Sequence, residues 1–274
     1  MKTDKKVYST LFIAIFLSSC SSMYIPSNIN IPLLESKGEK QVEFAASTNS
    51  FHLTGNYAFS KKYSVMINGG ISYKNFSNYY DIFTNTDKYE GSGGNTEVMS
   101  IDLADDGEFA HKYGEIGIGR YNILHKKLKF EIFGGIGYGI AKDQAEGNTI
   151  DKLNFDANYY LGFIQVNMGR TLKKLDFGWS VRLATTFRDF TYQDDQSGLP
   201  QSINLNMFHL EPMAFVRIGG EHLKFVARLG LSRSWLYKPI DDLYLEKGIY
   251  NGYVTTTGTH ISVGINYKFR IKDK

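Results

Sequence analysis

Six histidines and one acidic stretch are the residues of this 274-residue chain that could carry general acid–base chemistry. The histidines are His52, His111, His125, His209, His222 and His260. His111 closely follows the acidic stretch 102–108, and a carboxylate beside an imidazole is a common acid–base pair. However, the sequence contains no G-x-S-x-G nucleophile motif and no H-E-x-x-H motif. We therefore interpret the acidic stretch as a hydrated surface and predict no catalytic residue and no enzymatic activity.

Metal ions and phosphates have no clear binding motif in the sequence. The acidic stretch 102–108 (DLADDGE) and the pair Asp194–Asp195 lack the ligand spacing of an EF-hand loop. The glycines within 134–139 alternate with bulky residues, and no helix follows them on which a phosphate could sit. We therefore predict neither a metal site nor a cofactor.

Cys20 is the only cysteine, and it lies at the end of an export signal. Residues 1–6 are basic, and the apolar run 7–17 has the length of a signal-peptide core but is too short for a membrane-spanning helix. The sequence Leu17-Ser18-Ser19-Cys20 resembles the lipobox of bacterial lipoproteins, in which the peptide is cleaved before the cysteine and the cysteine is acylated. The resemblance implies a signal peptide over 1–19 and a lipid such as palmitate on Cys20. The alternative is an ordinary secretory signal with an incidental cysteine.

Charge and composition narrow the class of protein. The chain has 31 Lys and Arg against 28 Asp and Glu, a net charge of +3, and it is 42% hydrophobic. Three lysines and one aspartate lie within residues 1–19, so the mature chain retains only +1. A nearly neutral, moderately hydrophobic chain is neither disordered nor suited to nucleic acid.

Bulky apolar residues alternate with small or polar residues along much of the mature chain, as in Ile261, Val263 and Ile265. A period of two is typical of a strand with two different faces. It predicts ten strands, within a range of eight to twelve, near 40–48, 51–60, 63–74, 108–122, 128–141, 155–169, 175–189, 207–218, 223–235 and 256–269. A slip of the alternation between 161 and 166 and the proline at 212 each predict a β-bulge.

The connections between these strands alternate in length. Short turns at 60–62, 125–127, 172–174 and 219–222 alternate with long loops at 75–107, 142–154, 190–206 and 236–255. This pattern predicts an all-β, transmembrane, up-and-down antiparallel β-barrel with short periplasmic turns and long extracellular loops. The alternative is a soluble barrel or sandwich, which has bulky residues inside and charges outside. Here the face opposite the bulky residues is mainly Gly, Ala, Ser and Asn with a few charges, which favours the membrane barrel.

Charges of both signs are predicted on the inner face of the barrel. The candidate ladder comprises Glu115, Glu131, Asp176, Arg182, Glu211, Arg217 and Arg228. Charges in a confined interior need partners, so we expect them to pair and to fill a narrow lumen. The alternative is a charged constriction that conducts small solutes.

The loop 75–107 carries five aromatic residues beside flexible glycines. They are Phe76, Tyr79, Tyr80, Phe83 and Tyr89. Aromatic residues on a long loop suit a partner-binding surface, or they fold over the barrel mouth as a lid.

Lipobox and barrel together resemble the small outer-membrane β-barrel lipoproteins of Bacteroidetes-type Gram-negative bacteria. The segment 24–28 (YIPSN), Pro32 and the run 37–39 (KGE) add to the resemblance. The C-terminal 267–269 (YKF) resembles the aromatic signature that the outer-membrane insertion machinery recognises. The resemblance implies a lipidated periplasmic linker over 20–39 and a barrel over 40–274. Lipoproteins of this kind that reach the cell surface commonly carry acidic residues just after the cysteine, whereas Ser21, Ser22 and Met23 directly follow Cys20, so the resemblance favours an anchor in the periplasmic leaflet of the outer membrane.

These features predict a structural role or a role in binding other proteins. We expect a lipid-anchored barrel that acts as an accessory subunit of a larger cell-envelope complex, with outer-membrane lipids, the insertion machinery and other envelope proteins as partners. A narrow channel is the alternative, and an enzyme acting at the extracellular rim is a more distant one.

Overall fold

A computed structural model describes residues 27–47, 50–72, 110–124, 128–147, 150–194, 201–236 and 257–269. Its strands are β1 Lys40–Ser47, β2 Ser50–Tyr57, β3 Tyr63–Ser72, β4 Ala110–Ile123, β5 Leu128–Gly147, β6 Ile150–Thr171, β7 Leu175–Asp194, β8 Gln201–Gly219, β9 Leu223–Leu236 and β10 Thr257–Phe269. Each strand pairs antiparallel with its sequence neighbours, and β1 pairs with β10 to close the sheet. The predicted up-and-down barrel of ten strands is therefore confirmed. Among the described residues, no helix has the length and apolar character needed to span a membrane.

The two faces of the barrel differ as the alternation predicts. In β10, Ile261, Val263 and Ile265 point outward and are exposed, whereas Ser262 and Asn266 point inward and are buried. The same pattern recurs around the wall, so bulky residues form a continuous exposed band: Phe44, Leu53, Ile67, Ile116, Ile136, Ile164, Leu183, Phe225 and Val263 are among them. An apolar exterior around a polar interior is the architecture of outer-membrane β-barrels.

The two ends of the barrel differ in the connections that bound them. The short-turn mouth is bounded by residues 58–62, 172–174 and 220–222, and the long-loop mouth is the opposite end, where β3 ends and β4 begins. At the long-loop mouth the wall is uneven, because β1 and β2 have 8 residues each whereas β6 has 22.

The predicted loops at 142–154 and 190–206 are wrong, because strand pairing continues through most of both. The β5–β6 ladder runs on to the pair Gly147↔Ile150, and the β7–β8 ladder runs on to Tyr192↔Gln201. The stretch 142–154 is mostly polar in sequence, and in the stretch 190–206 Phe190 and Tyr192 stand one residue out of step with Phe187. The hydrophobic period of two is therefore interrupted in the sequence, although backbone pairing continues.

The two predicted bulges are also wrong. Around Phe163 the β5–β6 register is continuous, and the slip in alternation arises because Leu161 and Phe163 point into the lumen. Gly135 faces Phe163 and makes room for its ring, since a Cβ there would lie 2.4 Å from it. At Pro212, the β8–β9 pairs on either side keep one register, so no residue is inserted. Proline lacks an amide hydrogen and can interrupt a ladder in this way.

A segment N-terminal to the barrel occupies its interior. Ser27–Leu34, the lumen segment, is buried throughout inside the wall of strands. A turn at residues 36–38 then leads into β1. The sequence predicts a periplasmic linker over 20–39, whereas the structure places the described part of that range up to Leu34 inside the barrel.

Candidate functional site

The buried charges of the lumen are balanced. Among the described residues, the buried carboxylates are Glu39, Glu43, Glu115, Glu131, Asp176 and Glu211, and the buried cations are Lys129, Arg182, Arg188, Arg217, Lys224 and Arg228. All seven residues of the predicted charge ladder are in these two sets. Six charges of each sign make the buried interior formally neutral, which suits pairing within the lumen rather than attraction of one kind of ion.

Arg182 is the centre of the ladder. Its side chain is fully buried, its Nε donates to Glu211, and its Nη1 lies 3.2 Å from both carboxylate oxygens of Glu115. Asn68 also donates to Glu115, at 3.0 Å, and the Arg182 guanidinium lies 5.6 Å from the centre of the Phe163 ring. The guanidinium presents several donors in one plane and so can bind two carboxylates at once. Arg182 thereby ties β7 to β4 and β8 across the lumen.

Further pairs lie between this centre and the short-turn mouth. Glu43 forms an ion pair with Arg228 and lies 3.5 Å from Nη2 of Arg217. Lys224 and Asp176 form a pair at 2.6 Å. These contacts join side chains of β1, β7, β8 and β9, so the pairing is distributed around the wall.

The backbone of the lumen segment is bound by side chains of the wall. Five contacts come from side chains that donate to segment carbonyls: Asn68 to Asn28 at 2.9 Å, Gln165 to Asn30 at 2.7 Å, Arg217 to Ile31 and to Pro32, and Lys129 to Leu33 at 2.6 Å. Two segment amides donate in return, Asn28 to the Tyr113 hydroxyl at 3.1 Å and Leu34 to Glu131 at 2.7 Å. Buried backbone groups must find partners, and here side chains take the place of a neighbouring strand.

The side chains of the segment separate into a polar and an apolar side. Asn30 and Asn56 exchange two amide hydrogen bonds, at 3.1 and 2.8 Å. Ile29, Ile31 and Leu33 form an apolar cluster with Met213 and Phe215 of β8, and Leu34 packs with Ala58 and Tyr121. The segment therefore resembles an extra strand whose two faces match opposite walls of the lumen.

One glycine of the wall allows a close approach by the segment. A Cβ at Gly169 would lie 2.7 Å from Cδ1 of Leu33 and 2.9 Å from the Phe177 carbonyl oxygen. Leu33 itself has φ 54°, a left-handed conformation that is uncommon for a leucine. The side chain of Leu33 thus packs directly against the strand backbone at Gly169.

His111, the one candidate base in the sequence, lies in a buried aromatic network. It is 2% exposed, its Nε2 lies 2.6 Å from the Tyr159 hydroxyl, and its ring stacks on Tyr113 and Tyr159. The Tyr113 hydroxyl also lies 2.9 Å from Nδ1 of His52. The acidic stretch 102–108 lies outside the described residues. Within those residues, no group of three or more metal-ligating side chains is placed to hold a metal ion.

A cavity of about 550 Å³ lies at the short-turn mouth. Leu33 of the lumen segment forms part of its lining, together with charged residues that include Lys129, Asp176, Lys224 and Lys268. Most of these charges are paired, since Lys129 lies 2.8 Å from Glu35 and Lys268 lies 2.8 Å from Glu39. The lumen segment therefore closes this vestibule on its inner side.

The other predicted functional residues lie outside the described residues. They are Cys20, Phe76, Tyr79, Tyr80, Phe83 and Tyr89. The sequence prediction missed the lumen segment, although the alternation of Asn28, Ile29, Asn30 and Ile31 is a strand-like signal.

Comparison with known proteins finds similarity in architecture. No protein family and no curated protein sequence matches the chain. Among solved structures, the outer membrane protease OmpT from Escherichia coli is similar at 8% sequence identity and a TM-score of 0.48, with 84% of this chain and 93% of that chain covered. The translocator domain of autotransporter NalP from Neisseria meningitidis is similar at 10% identity and a TM-score of 0.43, with 84% and 86% covered.

Proposed function

We propose that this protein is a lipid-anchored outer-membrane β-barrel with a structural or interaction role, acting as an accessory subunit of a larger cell-envelope complex. The resemblance of its lipobox region and barrel to Bacteroidetes-type lipoproteins supports this class. The exposed apolar band supports placement in a bilayer, because water would be a poor solvent for such a surface.

The observation that carries the structural role is the occupied lumen. The chain's own backbone fills the interior, and the wall side chains Lys129, Gln165 and Arg217 bind that backbone rather than facing an open path. A barrel filled in this way offers its outer surface and its loops to partners, and the lumen segment occupies space that a solute would have to cross.

Bilayer recordings test the closed lumen. The purified full-length protein in planar bilayers should give no discrete conductance steps, whereas a variant lacking residues 27–34 should give them if it folds. Heat-modifiable migration on a gel establishes whether each preparation is folded. Steady single-channel steps from the folded, unmodified protein would contradict the proposal.

The lipid anchor and partners have separate tests. Metabolic palmitate labelling should be lost in Cys20→Ala, and labelling that persists would place the lipid elsewhere. The loop aromatics Phe76, Tyr79, Tyr80, Phe83 and Tyr89 are the proposed partner-binding surface. Mass spectrometry after purification in mild detergent should recover an envelope protein with the unmodified chain. Recovery should fall when Tyr79 and Tyr80 are replaced by serine.

A narrow channel is the second candidate, and the cavity at the short-turn mouth is the observation that favours it. This space of about 550 Å³ already enters the barrel as far as Leu33. Conduction would require displacement of the lumen segment. Conductance that appears only after a trigger, such as membrane tension or addition of a partner, would favour this candidate over the structural role.

A further inference from the structure

The contacts of the lumen segment show in which direction it runs along the barrel axis. Leu34 packs with Ala58 and Tyr121 beside the short turns. Asn30 lies further along the axis, where it contacts Asn56. Asn28 lies further still, so moving backward along the chain leads away from the short-turn mouth.

The contacts of Asn28 place it toward the long-loop mouth of the barrel. Its amide donates to the Tyr113 hydroxyl, and Tyr113 is three residues from the end of β4 at the long-loop mouth. Its Oδ1 accepts from Ser262 at 3.3 Å, and Ser262 is paired with Ser47, the last residue of β1. The backbone carbonyl of Asn28 accepts from Asn68, four residues from the end of β3, so Asn28 lies in the half of the barrel nearer the long-loop mouth.

The route back toward the short turns is occupied. Ile29, Ile31 and Leu33 fill the lumen below Asn28 against Met213 and Phe215. Protein interiors are packed closely, so a second backbone cannot pass beside the first in this space. Among the described residues, the direction of the lumen segment therefore points the chain before Ser27 toward the long-loop mouth.

We propose that the chain preceding Ser27 leaves the barrel through the long-loop mouth, so that Cys20 and its lipid lie on the opposite side of the membrane from the short turns. This inference rests on the proposed lipid anchor at Cys20 and deepens it. With short turns in the periplasm, the lipid belongs to the outer leaflet and the protein is anchored at the cell surface. It replaces the expectation of an anchor in the periplasmic leaflet.

The length of the intervening chain supports this side of the membrane. The seven residues from Cys20 to Ser27 span at most about 25 Å when fully extended. The hydrocarbon core of a bilayer is about 30 Å thick. From the long-loop mouth, Cys20 can reach the near leaflet, but it cannot pass over the wall and down its outside to the far leaflet.

Single cysteines in the full-length protein test the topology in intact cells. Three variants retain Cys20 and add one thiol each: Ser22→Cys before the lumen segment, Lys62→Cys in a short turn and Gly93→Cys in the predicted loop 75–107. A charged, membrane-impermeant maleimide is applied to the cells before and after the outer membrane is permeabilised. The unmodified chain is the matched control, since lipid on Cys20 leaves it no free thiol.

The expected result is that Ser22→Cys labels as strongly as Gly93→Cys in intact cells, while Lys62→Cys labels only after permeabilisation. Labelling of Ser22→Cys that follows Lys62→Cys would overturn the inference. Labelling of the unmodified chain in intact cells would instead contradict the lipid at Cys20 while leaving the exit route in place. If a variant fails to insert, an epitope placed after Ser22 and detected by antibody gives the same comparison.

Discussion

Replacing Arg182 by methionine tests whether the buried charges stabilise the barrel as pairs. The guanidinium is fully buried and binds the carboxylates of Glu115 and Glu211. Methionine is unbranched and uncharged, so it leaves both acids inside the lumen without their cation. It is shorter than arginine, but it retains most of the aliphatic stem, so the loss of the cation is the main change.

The expected loss is large because a buried charge without a partner is costly. Removing one member of a buried ion pair typically lowers the free energy of unfolding by about 3–5 kcal/mol. Two carboxylates are affected here, yet Glu115 keeps a hydrogen bond from Asn68 at 3.0 Å and Glu211 keeps one from Ser232 at 3.4 Å. We therefore expect a loss within that range of about 3–5 kcal/mol rather than twice as much.

Denaturant titration of the protein refolded into detergent micelles measures this loss. The folded fraction at each urea concentration is read from heat-modifiable migration, and the free energy follows by linear extrapolation. Arg120→Met is the matched control, because Arg120 is exposed. Surface substitutions of this kind change stability by about 0.5 kcal/mol or less.

A triple variant separates pairing from packing. Glu115→Gln, Arg182→Met and Glu211→Gln together remove the cation and both anions, and neutral replacements of complete buried networks are often tolerated. We expect the triple variant to recover most of the stability lost in Arg182→Met. If it is no more stable than the single variant, or if Arg182→Met matches Arg120→Met, the pairing argument is refuted.

Three other substitutions test the wall and the lumen segment. Ile136→Arg places a charge on the most exposed part of the apolar band, and it should lower stability in liposomes by about 2–4 kcal/mol while Ile136→Val changes it little, as read by urea titration. Asn30→Leu removes both amide hydrogen bonds with Asn56 and should lower the free energy of unfolding by about 1–3 kcal/mol in the same titration. An unchanged urea midpoint would mean that the lumen segment is not bound inside the barrel. Tyr113→Phe removes the hydroxyl that accepts from the Asn28 amide. It should lower the free energy of unfolding by about 1 kcal/mol and speed the hydrogen exchange of that amide. An exchange rate equal to that of the unmodified chain would contradict the contact.

The architecture follows from sequence because its signal is local. In β10, bulky residues alternate with small or polar ones over the full strand, and the predicted range 256–269 agrees with the observed Thr257–Phe269. The extension of β7 to Asp194 is not predicted, because Phe190 and Tyr192 stand one residue out of step with Phe187 and so interrupt the hydrophobic period of two. Backbone pairing alone maintains those residues as a strand, and pairing leaves no trace in composition.

The lumen segment could not be derived in the same way because its partners are remote in sequence. Asn30 is 135 residues from Gln165, and Ile31 is 186 residues from Arg217. The alternation of Asn28 to Ile31 indicates a strand, but no hairpin turn points to a neighbour for it. The amide of Gln165 and the guanidinium of Arg217 come close to the lumen segment only when the barrel is closed.

Buried side chains of the barrel wall bind the lumen segment, and these contacts help to decide between a structural barrel and a gated channel. Lys129, Gln165 and Arg217 are buried, and each donates to a carbonyl of the lumen segment. Withdrawal of the segment would break these hydrogen bonds, and each buried donor that finds no new partner costs about 1–3 kcal/mol. A gate that opens readily needs two states of similar free energy. Because several donors around the wall would incur this cost together, the structure favours a permanently filled barrel, in which the segment is part of the core.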